Sequence, residues 1–144
     1  MRAALDTNTL VSAVIKPEGK PAQIYQLVAL AFELVCSEFI LRELADVLQR
    51  PRIQKRYTTL VTPPRQAQFL ANVRSLAMVV DVHTLLQVVK DADDNRVLAG
   101  AVDGHADYLV TGDDHLLALK EFEGIKIVTP NEFLKVLHAQ AQEE

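Results

Sequence analysis

A single cysteine, Cys36, leaves this 144-residue chain without any internal disulfide. It follows Leu34 and Val35 and reads as a small buried apolar side chain rather than a reactive thiol. Long apolar runs are missing too: none approaches the ~20 residues of a membrane-spanning helix. The first residues, Met-Arg-Ala-Ala-Leu-Asp, lack the apolar centre and cleavage pattern of a secretion signal. These absences together lead to the expectation of a cytoplasmic protein with no membrane association. There is no Gly-x-Gly-x-x-Gly, no phosphate-binding loop, no serine nucleophile elbow and no cysteine cluster, so covalent and dinucleotide-dependent mechanisms have no support. His83, His105, His115 and His138 show no metal-ligand spacing and read as surface or cap residues.

What remains is an apolar-rich chain, 49% hydrophobic, with a formal net charge of −4. Its length fits one domain over residues 1–144, with a frayed Ala-Gln-Ala-Gln-Glu-Glu tail at about 139–144. Short apolar segments alternate with helical patterns. Strands are expected at 2–6, 32–36, 76–80, 108–110 and 125–128. Helices are expected through Leu10, Val11, Ala13 and Val14, after Pro21 through Ile24, Leu27, Val28 and Ala31, from Ser37 to Gln49, after Pro63-Pro64, after Asp94 as far as Gly104, through Leu116 and Leu117, and after the capping box Thr129-Pro-Asn-Glu132. Residues 52–62 read as a short helix and connection, and residues 81–90 carry no assignable pattern. The alternation implies an α/β fold with a mainly parallel five-stranded sheet and helices on both faces, three α/β/α layers.

Charge is unevenly spread. Arg42, Arg50, Arg52, Lys55, Arg56 and Arg65 face only Glu43 and Asp46 between residues 42 and 65. That excess fits either a solvated helical surface or a phosphate-facing patch. The acids are more telling. Asp91, Asp93 and Asp94 crowd one helix start, where capping accounts for one carboxylate and its neighbours repel it. Asp93 is the expected cap and Asp94 the acid turned to a pocket. Asp6 ends the first strand, and Asp113, preferred over Asp114, follows the fourth. Ligands of parallel sheets sit beyond these carboxyl ends. Glu43 lies at the margin of the Ile40, Leu44, Val47, Leu48 stripe with no cation three or four residues away, whereas Asp46 has Arg42 and Arg50. A half-buried carboxylate without a partner calls for a cation.

Four segments carry a resemblance: Leu5-Asp-Thr-Asn-Thr-Leu-Val-Ser-Ala13, Ile40-Leu-Arg-Glu-Leu44, Asp91-Ala-Asp-Asp-Asn95 and Leu109-Val-Thr-Gly-Asp113. In order and spacing they resemble the PIN-domain nucleases, most closely the toxin components of bacterial and archaeal toxin–antitoxin modules. The resemblance implies a metal-dependent endoribonuclease in which Asp6, Glu43, Asp94 and Asp113 hold one or two Mg²⁺ or Mn²⁺ ions. It places Asn8 and Thr111 as groups that orient carboxylates or the scissile phosphate. It also implies an RNA substrate, met by Arg42, Arg50, Arg52, Lys55 and Arg56, a cognate antitoxin and a homodimer. A non-catalytic RNA- or protein-binding module of the same fold is the alternative. A receiver-like phosphoacceptor fits poorly, because Asp6 is single and Lys126 lies inside the fifth strand.

Overall fold

The computed structural model describes residues 1–143. Its centre is β1 (Arg2–Leu5), whose Ala3, Ala4 and Leu5 are all buried. The chain runs outward through α1 (Thr7–Ile15) and α2 (Lys20–Gln26) to β2 (Glu33–Ser37), then through α3 (Glu38–Leu48), α4 (Pro51–Arg56) and α5 (Pro63–Leu76) to β3 (Met78–Val80). It then returns across the sheet. After α6 (Ala92–Asp103), β4 (Tyr108–Val110) lies on the other side of β1, and the chain continues through α7 (Asp114–Leu117) to β5 (Glu121–Phe122), β6 (Ile125–Val128) and α8 (Pro130–Glu143). The strand order is β3-β2-β1-β4-β6-β5. Helices cover both faces of the sheet, giving three α/β/α layers. The reversal of direction between β1 and β4 opens a crevice at their carboxyl ends, where α/β sheets take their ligands.

Burial follows position in the sheet. β2 and β4 are buried almost continuously, as strands covered on both faces must be. β6, nearer the edge, alternates buried Ile125, exposed Lys126 and buried Ile127. The sheet has six strands where five are expected from the sequence. The extra one, β5, is two residues long and pairs antiparallel with β6, too short to show a pattern of its own. Glu123 and Gly124 join the two with φ of 48° and 82°. A two-residue hairpin loop with both φ positive matches the twist of its strands.

Most boundaries fall within two residues of expectation. The second helix is an exception. It stops at Gln26 rather than running to Ala31, since residues 27–32 form turns with Ala29 at φ 69°. Helical backbone continues to Glu143 through the segment expected to fray, in keeping with its Ala, Gln and Glu content, and Glu144 lies outside the described residues. The box at Thr129 is formed, each of Thr129 and Glu132 bonding the other's backbone N–H at 3.1 Å. Residues 81–90 form an irregular strap held to α6 by side chains. Asp103 accepts from the backbone of His83 and Thr84 and from the Thr84 hydroxyl, and the buried Asn95 bonds Val88, Val89 and Asp91.

Gly104 ends α6, but not by adopting a left-handed conformation. Its φ is −86°, and the positive φ of 53° falls on His105. The need for glycine is steric: a Cβ there would stand 2.3 Å from Val35 Cγ1 in the core. Gly104→Ala is therefore expected to destabilise by about 1–3 kcal/mol through overpacking, while His105→Gly relieves backbone strain and stabilises by about 0.5–1 kcal/mol. Urea unfolding of the two variants checks the opposite signs.

Candidate metal centre

Three carboxylates are held at the crevice by the helices they cap. Asp6 Oδ1 accepts from Thr9 N at 2.9 Å at the start of α1. Asp91 Oδ1 accepts from Asp93 N and Asp94 N at 2.8 and 3.1 Å at the start of α6. Asp113 Oδ1 accepts from Leu116 N at 3.0 Å at the start of α7. The cap of α6 is thus Asp91, not Asp93. It occupies the residue with extended φ and ψ, whereas Asp93 lies inside the first turn and reaches only Arg96, at 3.6 Å. Each cap uses one carboxylate oxygen and locks the side chain, so the second oxygen is placed without further ordering.

Thr111 ties two of these acids together. It is fully buried, donates its hydroxyl to Asp6 Oδ2 at 2.5 Å and accepts from Asp113 N at 3.0 Å. One side chain at the end of β4 therefore fixes both the acid at the end of β1 and the turn that presents Asp113. Asp6 is only 7% exposed and has donors on both oxygens, which is what a buried carboxylate requires.

Glu43 does have a partner. The Thr7 hydroxyl on α1 donates to Glu43 Oε1 across the α1–α3 contact. Thr7 is buried, and a bond spanning 36 residues leaves no local trace in the sequence. Asn8, the residue chosen there, is exposed and lines the rim of the crevice. Among the described residues, Glu43 Oε2 has no hydrogen-bond partner.

Asp94 is the acid that structure alone does not explain. It caps nothing, pairs with nothing and is half-buried. Burial, then the nearby Asp113 and Asp91 carboxylates, push its pKa up to about 6, and Asp6 adds to the effect. Asp6, Glu43, Asp94 and Asp113 all line one hollow of about 240 Å³, together with Asp91 and Asp93. Asp114, exposed in the first turn of α7, is not among the lining residues. Asp94 and Asp113 each offer an oxygen, and His115, exposed and not among the lining residues, a ring nitrogen, all within 4.8 Å of one another. This donor set, mainly hard oxygens, one carboxyl having its pKa raised to about 6 by burial and by its acidic neighbours, fits a small divalent cation.

The basic residues divide. Arg50, past the end of α3 and immediately before α4, lines the acidic hollow, bonded to Asp46 at 3.3 Å in an exposed pair of small energetic weight. Arg52, Lys55 and Arg56 are exposed on α4, with Arg56 over the Tyr57 ring. Arg42 instead lines a separate groove of about 720 Å³ with Lys90, Arg96 and the strap, away from all four acids.

A family model described as the PIN domain matches residues 2–115, a span that contains every acid of the hollow. The chain belongs to the PIN domain family. The uncharacterized protein MJ1680 of Methanocaldococcus jannaschii is 28% identical over 147 residues, covering 94% of this chain and 90% of that relative. Similar PIN-like folds occur in three solved structures. PAE2754 of Pyrobaculum aerophilum has a TM-score of 0.62 at 18% identity, covering 96% of this chain and 90% of its own. VapBC2 of Rickettsia felis, bound to a DNA fragment from its promoter, has a TM-score of 0.61 at 16% identity, with 90% and 98% covered. DNA-bound VapBC of Salmonella typhimurium gives 0.56 at 18%, with the same coverage. At these identities the likeness is one of fold.

Proposed function

We propose that this PIN domain is a Mg²⁺- or Mn²⁺-dependent endoribonuclease acting as the toxin of a type II toxin–antitoxin module, a cytoplasmic homodimer with a cognate antitoxin partner. The observation that carries the reading is Asp94, an unpartnered carboxylate raised by burial and by its acidic neighbours in a hollow that three helix caps and Thr111 hold in shape. Membership of the PIN family and the likeness in fold to chains of two VapBC structures support the toxin role.

Asp94 and Asp113 would hold the cation, with Asp6 fixed beside them by Thr111 and Thr9. A bound divalent ion would supply the positive charge that lets a phosphodiester approach these carboxylates and the polarisation that activates water. Glu43, oriented by Thr7, keeps Oε2 for the attacking water and can accept its proton there, or can contribute to a second ion. Asn8, exposed at the rim, would donate to a phosphate oxygen. Arg50 can leave its exposed pair with Asp46 to meet the RNA backbone, and Arg52, Lys55 and Arg56 extend that contact along α4.

The direct experiment is incubation of the purified chain with end-labelled single-stranded RNA in Mn²⁺ and in chelator. Cleavage in Mn²⁺ alone, leaving a 5′-phosphate on one product, is the expected result. RNA that is bound but never cut under any divalent ion would establish the binding-module alternative. Substrate contact is separable by charge reversal. Arg50→Glu and Arg52→Glu should weaken RNA binding and each lower the salt slope by about 0.7–1.4, whereas Arg42→Glu should change it little. Filter binding across a salt series reads this, and equal effects at all three positions would remove the proposed path.

A further inference from the structure

We propose that His115 is a nitrogen ligand of the divalent-cation site, and that it biases the site toward nitrogen-binding transition ions over Mg²⁺. The inference rests on the metal-centre reading above and adds to it a residue that the four acids do not include. His115 stands in the first turn of α7, two residues after Asp113. Its Nδ1 lies 3.9 Å from Asp113 Oδ1, and a ring nitrogen falls within 4.8 Å of both the Asp94 and the Asp113 ligand oxygens. Its side chain is 78% exposed, with no hydrogen bond among the described residues, so neither packing nor capping accounts for its position.

The chemistry follows from the donor types. An imidazole adds a ligand without adding charge to a cluster already crowded with carboxylates, so it raises affinity without raising repulsion. Nitrogen donors favour ions late in the first transition row, while Mg²⁺ is held by oxygen and water. A site of two carboxylates and one imidazole therefore discriminates between Co²⁺ and Mg²⁺ in a way that carboxylates alone do not. Asp113 is locked by its cap on Leu116 N, and the exposed imidazole, outside the lining of the hollow, lies within 4.8 Å of the Asp113 and Asp94 ligand oxygens.

Calorimetric titration of the RNA-free chain with CoCl₂ and with MgCl₂ tests this, using wild type, His115→Ala and Asp94→Asn. His115→Ala is expected to weaken Co²⁺ binding about tenfold or more and to leave Mg²⁺ binding within about twofold. Asp94→Asn should weaken both. In pulsed EPR of the Mn²⁺-loaded chain, a nitrogen coupling present in wild type should vanish in His115→Ala. Unchanged Co²⁺ binding in His115→Ala, with both metals lost in Asp94→Asn, overturns the ligand role of His115 and leaves the metal centre standing. Equal loss of both metals in His115→Ala overturns the selectivity. Wild-type binding by Asp94→Asn overturns the metal-centre reading itself. Since His115 is exposed, its removal leaves the fold intact, which circular dichroism verifies.

Discussion

Asp94→Asn is expected to reduce Mn²⁺-dependent RNA cleavage by about a thousandfold or more, because it removes the charged oxygen best placed for the cation while conserving shape. In the metal-free protein the same change should stabilise the fold. The pKa of Asp94 is raised from 3.8 to about 6 by burial and by Asp113, Asp91 and Asp6, so the native state favours the protonated acid. That preference contributes stability below pH 4, where the group is protonated in folded and unfolded chains alike, and is lost as pH rises through 6. Above that point the wild type carries an ionised carboxylate among others, and Asn does not. The gain at pH 7.5 is on the order of 1–2 kcal/mol once solvent screening of a half-buried group is allowed for. Near pH 4 it should disappear. Denaturant titrations of both proteins at the two pH values, in chelator, measure it. A variant no more stable than wild type at pH 7.5 would show that burial and the neighbouring carboxylates do not disfavour the Asp94 charge as described.

Thr111→Val should lower both stability and activity. The substitution keeps the shape of a fully buried side chain and deletes the hydroxyl that donates to Asp6 Oδ2 and accepts from Asp113 N. Asp6 loses one of its two donors and the Asp113 N–H is left without an acceptor. Leaving such groups unsatisfied costs about 1–3 kcal/mol each, so a loss of about 2–4 kcal/mol is expected. For a chain of this length, that lowers Tm by roughly 7–13 °C. Thr111→Ser, which retains the hydroxyl, should recover most of the loss. Were Val and Ser to behave alike, the hydroxyl bridge would have no part in holding the acids.

The parts legible from sequence are those whose causes are local. Asp6 and Ser37 can be read as caps because the helix start and the acceptor lie within three residues. Glu43 stands out because helical periodicity reports which side of α3 is buried. Position in the fold hides the rest. The Thr7 partner of Glu43 belongs to another helix, and β5 exists only because β6 lies next to it. Among the three acids at α6, local pattern cannot say which residue keeps an extended backbone, and it is Asp91 that does so. His115 shows no spacing to another histidine because its neighbours at the site are carboxylates. Its place two residues after Asp113 was the signal available. The six positive side chains between Arg42 and Arg65 likewise look continuous in sequence, while the fold sends Arg42 to a different groove.

In the proposed metal centre Asp94 and Asp113, with Asp6 beside them, hold a divalent ion, and Glu43 on the same hollow orients water or meets a second ion. Titrating Mn²⁺ into the purified, RNA-free chain and following free Mn²⁺ by EPR tests it most directly. Saturable binding at one or two sites in wild type, weakened at least about tenfold by Asp94→Asn with the fold unchanged, is the predicted result. Wild-type binding indistinguishable from that of the Asp94→Asn chain, or no saturable binding at all, would contradict it.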